Sequence, residues 1–135
     1  MSSSTVLLKD AIYTLLNVDS IFASIPDGTS DVRIYRDRIP NGVTYPAAVY
    51  YVISPVRDHL LPTRRDRVQF DFYAEDPDEV EELADLVNTI LQRYKGTVGS
   101  FPIIQVVNDN EFNSPAEFST ETWRKTIDYI FFYKI

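Results

Sequence analysis

The segment Val68-Gln69-Phe70-Asp71-Phe72-Tyr73-Ala74 alternates in side-chain character without a break. Two residues later, Asp76-Pro77 opens a run of helical period. A period of two places Val68, Phe70, Phe72 and Ala74 on one face of a strand and Gln69, Asp71 and Tyr73 on the other. Asp76 suits an N-cap and Pro77 the first helical position, while Asp78 and Glu79 complement the positive end of the helix dipole. Val80, Leu83, Ala84, Val87, Ile90, Leu91 and Tyr94 then share one stripe. Arg93 and Lys95 stand at the negative end, and Gly96 suits the residue just past it. A one-sided strand that passes directly into an amphipathic helix calls for a sheet with that helix packed on its apolar face.

The remaining elements extend this plan. The chain of 135 residues shows no internal repeat, low-complexity tract or linker, so one domain over 1–135 is expected. A first helix is expected after Ser4, with Leu8, Ala11, Ile12, Leu15 and Leu16 on one stripe. A short helical turn around Ser20 to Ser24 ends at Pro26-Asp27-Gly28. Strands are expected at Val32 to Tyr35, at Ala47 to Ile53 after the turn signals Pro40, Asn41, Gly42 and Pro46, at Phe101 to Val107, and from about Thr122 to Ile135. In the last of these, Trp123, Ile127, Tyr129, Phe131, Tyr133 and Ile135 face one way. Ser54 to Arg67 reads as a long loop, and Asp109-Asn110-Glu111 as the turn between the final two strands.

The order α-β-β-β-α-β-β predicts an α+β fold, with two helices packed on one face of a four- to five-stranded mixed, mostly antiparallel sheet. If the strands around the second helix pair in parallel, their crossover is right-handed. Two helices cover only one face of such a sheet, so aromatics on the other face hint at self-association.

Composition excludes much chemistry. Cysteine is absent and histidine occurs once, as His59. Disulfides, thiol catalysis, cysteine-bearing zinc sites and histidine clusters are therefore impossible. No apolar run approaches the ~20 residues that span a bilayer, and Met-Ser-Ser-Ser-Thr is unlike a signal peptide, so synthesis in the cytoplasm and no membrane partner are expected. His59 lies beside Asp58 in a charged segment with no Gly-x-Ser-x-Gly elbow, a poor start for a triad. Glu75, Asp76, Asp78, Glu79, Glu81 and Glu82 crowd a helix start, where ionised carboxylates are simply stable, rather than an apolar pocket that would raise a catalytic acid. Asp109, Asn110 and Glu111 lack the spacing and glycine of an EF-hand loop. Lys95 to Ser100 follows a helix, whereas phosphate-binding loops precede one. No enzyme activity, cofactor or metal is expected.

The net charge is −7, from 20 acidic and 13 basic residues. Bulk attraction to phosphate backbones is disfavoured, although Tyr50-Tyr51 and Phe70-Asp71-Phe72-Tyr73 resemble base-stacking platforms and keep a nucleic-acid-binding α+β domain as an alternative. The charge is also segregated. Asp71 to Asp85 contains no base, whereas Arg57, Arg64, Arg65 and Arg67 are clustered around Leu60 and Leu61. Arginine forks suit carboxylates, so this segment is either a docking arm for an acidic neighbour or a charged loop without a partner. Arg57, Leu60, Leu61, Arg64, Arg65 and Arg67, with Asp78, Glu79 and Glu82 on the acidic side, are the candidate interface residues.

Three segments carry a resemblance. Arg33-Ile34-Tyr35 runs through Pro40 to Tyr45-Pro46-Ala47-Ala48-Val49. Val68 to Ala74 leads into Glu79-Val80-Glu81-Glu82-Leu83-Ala84. The third segment runs from Trp123 to Phe131. Together with the first helix, these segments resemble the tail-completion, or tail-terminator, proteins of long-tailed bacteriophages. The resemblance implies a structural virion protein at the head–tail junction, made in the host bacterial cytoplasm. It also implies a homo-oligomeric ring, commonly a hexamer, that caps the head-proximal end of the tail tube and stops its polymerisation. Its implied partners are further copies of itself, the tail tube protein and a head completion or connector protein, with DNA passing through unbound. A head–tail connector or neck subunit is the alternative within the same setting.

Overall fold

The alternation around Phe70 becomes a strand, longer than its apolar part, in a computed structural model that describes residues 4–17, 33–39, 42, 45–57, 63–114 and 122–134. The elements are α1 (Ser4–Leu16), β1 (Ile34–Arg36), β2 (Ala47–Arg57), β3 (Thr63–Ala74), α2 (Pro77–Leu91), β4 (Gly96–Val98), β5 (Phe101–Ser114) and β6 (Trp123–Lys134). They form an α+β fold around one sheet in the order β1-β2-β3-β6-β5-β4. Six strands are present where four to five were expected. The added strand is β4, at the glycine expected only to end a helix.

β1 and β2 pair in parallel, and every other pairing is antiparallel. β3 and β5 run in the same direction, but β6 lies between them. The expected crossover through α2 therefore joins two strands that do not pair. Two further expectations are corrected. Ser54 to Arg67 is mostly hairpin, paired out to Arg57↔Arg64 with a register shift between Val52 and Ser54. β1 flanks β2 only along Ala48–Tyr50, and proline is tolerated on an edge strand. Pro55 and the arginines thus imitate a loop in a segment that remains extended. Asp109-Asn110-Glu111 lies inside β5, where a slip between Asn108 and Asn110 against β6 accommodates an extra residue as a bulge does. The turn expected at 20–24 lies outside the described residues.

α2 starts where the sequence places it: the Asp76 carboxylate accepts the Asp78 N–H at 2.8 Å. It ends earlier than Gly96. Gln92 leaves the helix in an extended conformation, and Arg93 takes a left-handed φ of 62°. That turn lets the Arg93 N–H reach Val106 O at 2.9 Å, while Gln92 Oε1 accepts the Asn108 N–H at 2.9 Å. The helix stops because its end docks on the outer edge of β5, covering backbone groups that would otherwise be open there.

Pairing registers assign the faces. Val68, Phe70, Phe72 and Ala74 share the helix-covered face with Ile127, Tyr129, Phe131 and Tyr133. Leu8, Ile12 and Leu16 of α1 and Val80, Leu83, Val87 and Leu91 of α2 close over them. Tyr50 stacks on Phe70 at 5.4 Å, and Tyr129 meets Phe70 edge-on at 5.4 Å. Each such ring fully buried contributes ~1.5–3 kcal/mol from burial. The buried hydroxyls are satisfied: Tyr50 donates to Lys9 O at 2.9 Å and Tyr129 to Asn88 Oδ1 at 2.7 Å. Burial pushes both of these tyrosines up in pKa.

Candidate assembly surfaces

β3 connects the two charged regions. Its first residues, Thr63 to Arg67, lie at the hairpin end of the sheet, and its last, Ala74, leads into the acidic start of α2. Ten residues separate Arg64 from Ala74 in sequence, so at a strand's rise the two regions are roughly 30 Å apart. The basic and acidic candidates thus occupy opposite ends of the molecule.

The pleat divides the arginines. Arg65 is exposed on the face opposite the helices. Arg64 points the other way and is buried, 5% exposed, with Nη2 4.0 Å from Oδ1 of the fully buried Asp66. Tyr133 donates to Asp66 Oδ2 at 2.7 Å, whereas Asp66 Oδ1 and Arg64 Nε and Nη2 have no hydrogen-bond partner. Arg64 is therefore an interior residue and not part of an exposed docking arm. Arg67 is half-buried between Asp109, which its Nη1 bonds directly, and Asp128 at 3.5 Å. Burial outweighs Arg67 in leaving Asp128 above the usual carboxylate range. Arg57 closes β2 opposite Arg64 in the backbone register; Leu60 and Leu61, like His59, lie outside the described residues.

At the other end, Asp78 and Glu82 are exposed and Glu79 is half-buried. Asp85 continues the exposed stripe, since positions three and four apart share a helix face. Glu81 turns inward and accepts from Lys125 Nζ at 2.6 Å, with Glu111 at 3.5 Å from the same ammonium. Burial lowers Lys125, but the two carboxylates outweigh it and leave it raised. Beside this cluster, Pro77, Val80, Trp123 and Arg124 line a cleft of about 270 Å³.

Sequence reasoning missed a polar network on the uncovered face. Asp71, 5% exposed, accepts from Thr126 Oγ1 at 2.7 Å, from the Tyr51 hydroxyl at 2.9 Å and from Gln69 Nε2 at 3.2 Å. Gln69 also donates to the Tyr51 oxygen. Burial, then the bond to Asp71, pushes the Tyr51 hydroxyl up to about 12. The network forms one wall of a cleft of about 410 Å³, lined also by Asp37, Arg38, Tyr45, Val49 and Tyr73. Its only sequence signal is the run of polar residues at alternate positions of two strands, Gln69 and Asp71 with Thr126 and Asp128. Among the described residues, no three histidine, cysteine or carboxylate side chains are grouped to hold a metal ion, and no helix is long and apolar enough to cross a membrane.

Neither a protein-family profile nor a curated protein matches the chain. Among solved structures, it is similar to a chain of the virion of a native gene transfer agent (GTA) particle, with a TM-score of 0.72. The match covers 99% of this chain and 100% of the other at 13% identity, so the likeness is one of fold, from end to end.

Proposed function

We propose that this protein is a structural component of a phage-like virion, a tail-completion subunit whose ring caps the head-proximal end of the tail tube. In this role it stops tube polymerisation and presents the surface to which the head's connector binds. The observation that carries the reading is the full-length fold likeness to a chain of a gene transfer agent virion. It joins the resemblance of three sequence segments to tail terminators.

The charge layout is suited to the role. A closed ring needs two different, complementary patches on each subunit. The exposed stripe of Asp78, Glu82 and Asp85 and the hairpin end, where Arg65 and Lys134 are the exposed bases, lie toward opposite ends of β3, so one copy can meet the next head to tail. A subunit of net charge −7 also avoids gripping DNA that passes through the ring. The protein then acts without catalysis or cofactor, and a hexamer is the ring size that the resemblance implies.

The test is tail-tube length by electron microscopy in particles lacking the protein, with purified protein added back. Overlong tubes that fail to join heads, cured by addition, are expected. Normal-length tails that do not attach would transfer the protein to the head side as a connector or neck subunit. Normal infectious particles would remove it from assembly altogether.

A further inference from the structure

We infer that the cleft at the start of α2, walled by Pro77, Val80 and Trp123, receives Leu60 and Leu61 of a second copy of this chain, while Arg57 and Arg65 of that copy meet Asp78 and Glu82. This joint deepens the ring reading above and rests on it for the choice of partner.

The cleft forms where two elements meet. Trp123 opens β6 opposite Ala74, the last residue of β3, and α2 begins at Pro77. Pro77 and Val80 are three apart on α2 and so share a helix face, which with Trp123 makes an apolar wall. Pro77 is exposed and Trp123 half-buried, so that wall is open to a partner. The volume of about 270 Å³ exceeds the roughly 150 Å³ that holds a benzene ring, so a leucine side chain fits. The charge beside the wall is acidic. Asp78 lines the cleft and is exposed, and exposed Glu82 stands one turn further on. Glu81 is taken by Lys125 at 2.6 Å. Arg124, the one base in the lining among the described residues, already has a partner within the chain.

The occupant follows from a combination of features and not from charge alone. Exposed bases occur at Arg38, Arg65, Arg93, Lys95 and Lys134. Arg93 and Lys95 flank Tyr94, which packs against the core and offers a partner no apolar anchor. Two adjacent leucines bracketed by arginines occur in the sequence only between Arg57 and Arg65. Leucine side chains suit the apolar wall, and arginine forks suit the carboxylates of Asp78 and Glu82. The leucines belong to the connection from Arg57 to Thr63, at the end of the sheet opposite the cleft. The two ends of β3 are roughly 36 Å apart, whereas so short a connection, tied at both ends, extends roughly 10 Å. Only another copy therefore brings leucines and cleft together. Such a joint is heterologous and repeats into a ring or a filament.

Trp123 is the only tryptophan of the chain, so the cleft reports on itself. The probe is a peptide of residues 57–65, cyclised because Arg57 and Arg64 are register partners. It is titrated into the full chain carrying Leu60→Ser and Leu61→Ser, whose cleft no sister arm fills, and followed by Trp123 fluorescence. A saturable blue shift is expected. It should be at least tenfold weaker with a peptide bearing the same two serines, and when Asp78→Lys and Glu82→Lys are added to the chain. Arg93→Glu with Lys95→Glu, at the other end of α2, should leave the titration unchanged. Equal binding of the serine peptide, or no saturable shift, overturns the site.

The partner is tested by sedimentation, with and without tail tubes. The Leu60→Ser, Leu61→Ser chain and the Asp78→Lys, Glu82→Lys chain are each expected to block assembly alone. Mixed together, they should give pairs and no ring, because one intact joint remains. Rings from the leucine variant alone, or mixing that yields no pair, overturn a second copy as the occupant. Tube length judges the ring reading separately. Capping by the leucine variant would keep that reading and remove this joint, whereas overlong tubes with a wild-type chain whose cleft binds the peptide would remove the ring reading and keep the cleft.

Discussion

The two faces of the sheet solve the problem of buried polarity differently. On the helix-covered face, aromatic rings fill the space, and the hydroxyls of Tyr50, Tyr129 and Tyr133 each donate to a single acceptor. On the other face, Asp71 collects three donors and Arg67 bridges two carboxylates across strands. The adjacent residues Arg64 and Arg65 belong one to each face. Identical side chains therefore have different meanings, set by the pleat and not by the local composition.

The most disruptive way to break the contrast is to empty the covered face. Phe70→Ala, at the centre of the aromatic cluster, should cost ~3–5 kcal/mol, read from the urea midpoint. Charge reversal separates the arginines next. Arg64→Glu places a second carboxylate beside buried Asp66 and should destabilise by ~3 kcal/mol or more, whereas Arg65→Glu should stay within ~0.5 kcal/mol in the same assay. Equal effects would mean that the two faces are not distinguished as described. Thr126→Val leaves the Asp71 carboxylate short of a donor and should cost ~1–3 kcal/mol by thermal unfolding.

The smallest effect is one of pH. The Tyr51 hydroxyl is raised from 10.0 to about 12, so the native state holds its proton more tightly than the unfolded chain does. Its stabilisation is complete below pH 10.0 and is lost as pH rises through about 12. Tyr51→Phe should flatten that part of the alkaline loss in denaturant titrations, and an unchanged slope would detach Tyr51 from Asp71.

What was legible in the sequence was what local chemistry determines. Asp76-Pro77 fixed the start of α2 through a bond to the very next turn. Its end was hidden because Val106 and Asn108, far along the chain, supply the groups that stop it. The core of β2 was readable from its apolar run, but its extension was not, since Pro55 and the arginines suggest a loop. Arg64 was misplaced for the same reason. Extending the alternation of Val68 backward puts Asp66 and Arg64 on the apolar face, a placement stable only because Tyr133 of β6 meets Asp66. The Asp71 cleft has no motif at all; it exists only once β2, β3 and β6 are side by side.

The position of β6 also sets the order of events during folding. It follows every other element in the chain yet lies at the middle of the sheet, joined to β3 through twelve residue pairs from Thr63↔Lys134 to Ala74↔Trp123. A chain reaching only to Ser114 would hold β1-β2-β3 and β4-β5 as two strand sets linked by the helices but not paired with each other, with Phe70 lacking Tyr129 and Asp71 lacking Thr126. Contacts spanning so much sequence close slowly. The Asp71 network therefore closes only when β6 joins β3, whereas the basic end and the acidic helix start are already set at the two ends of β3.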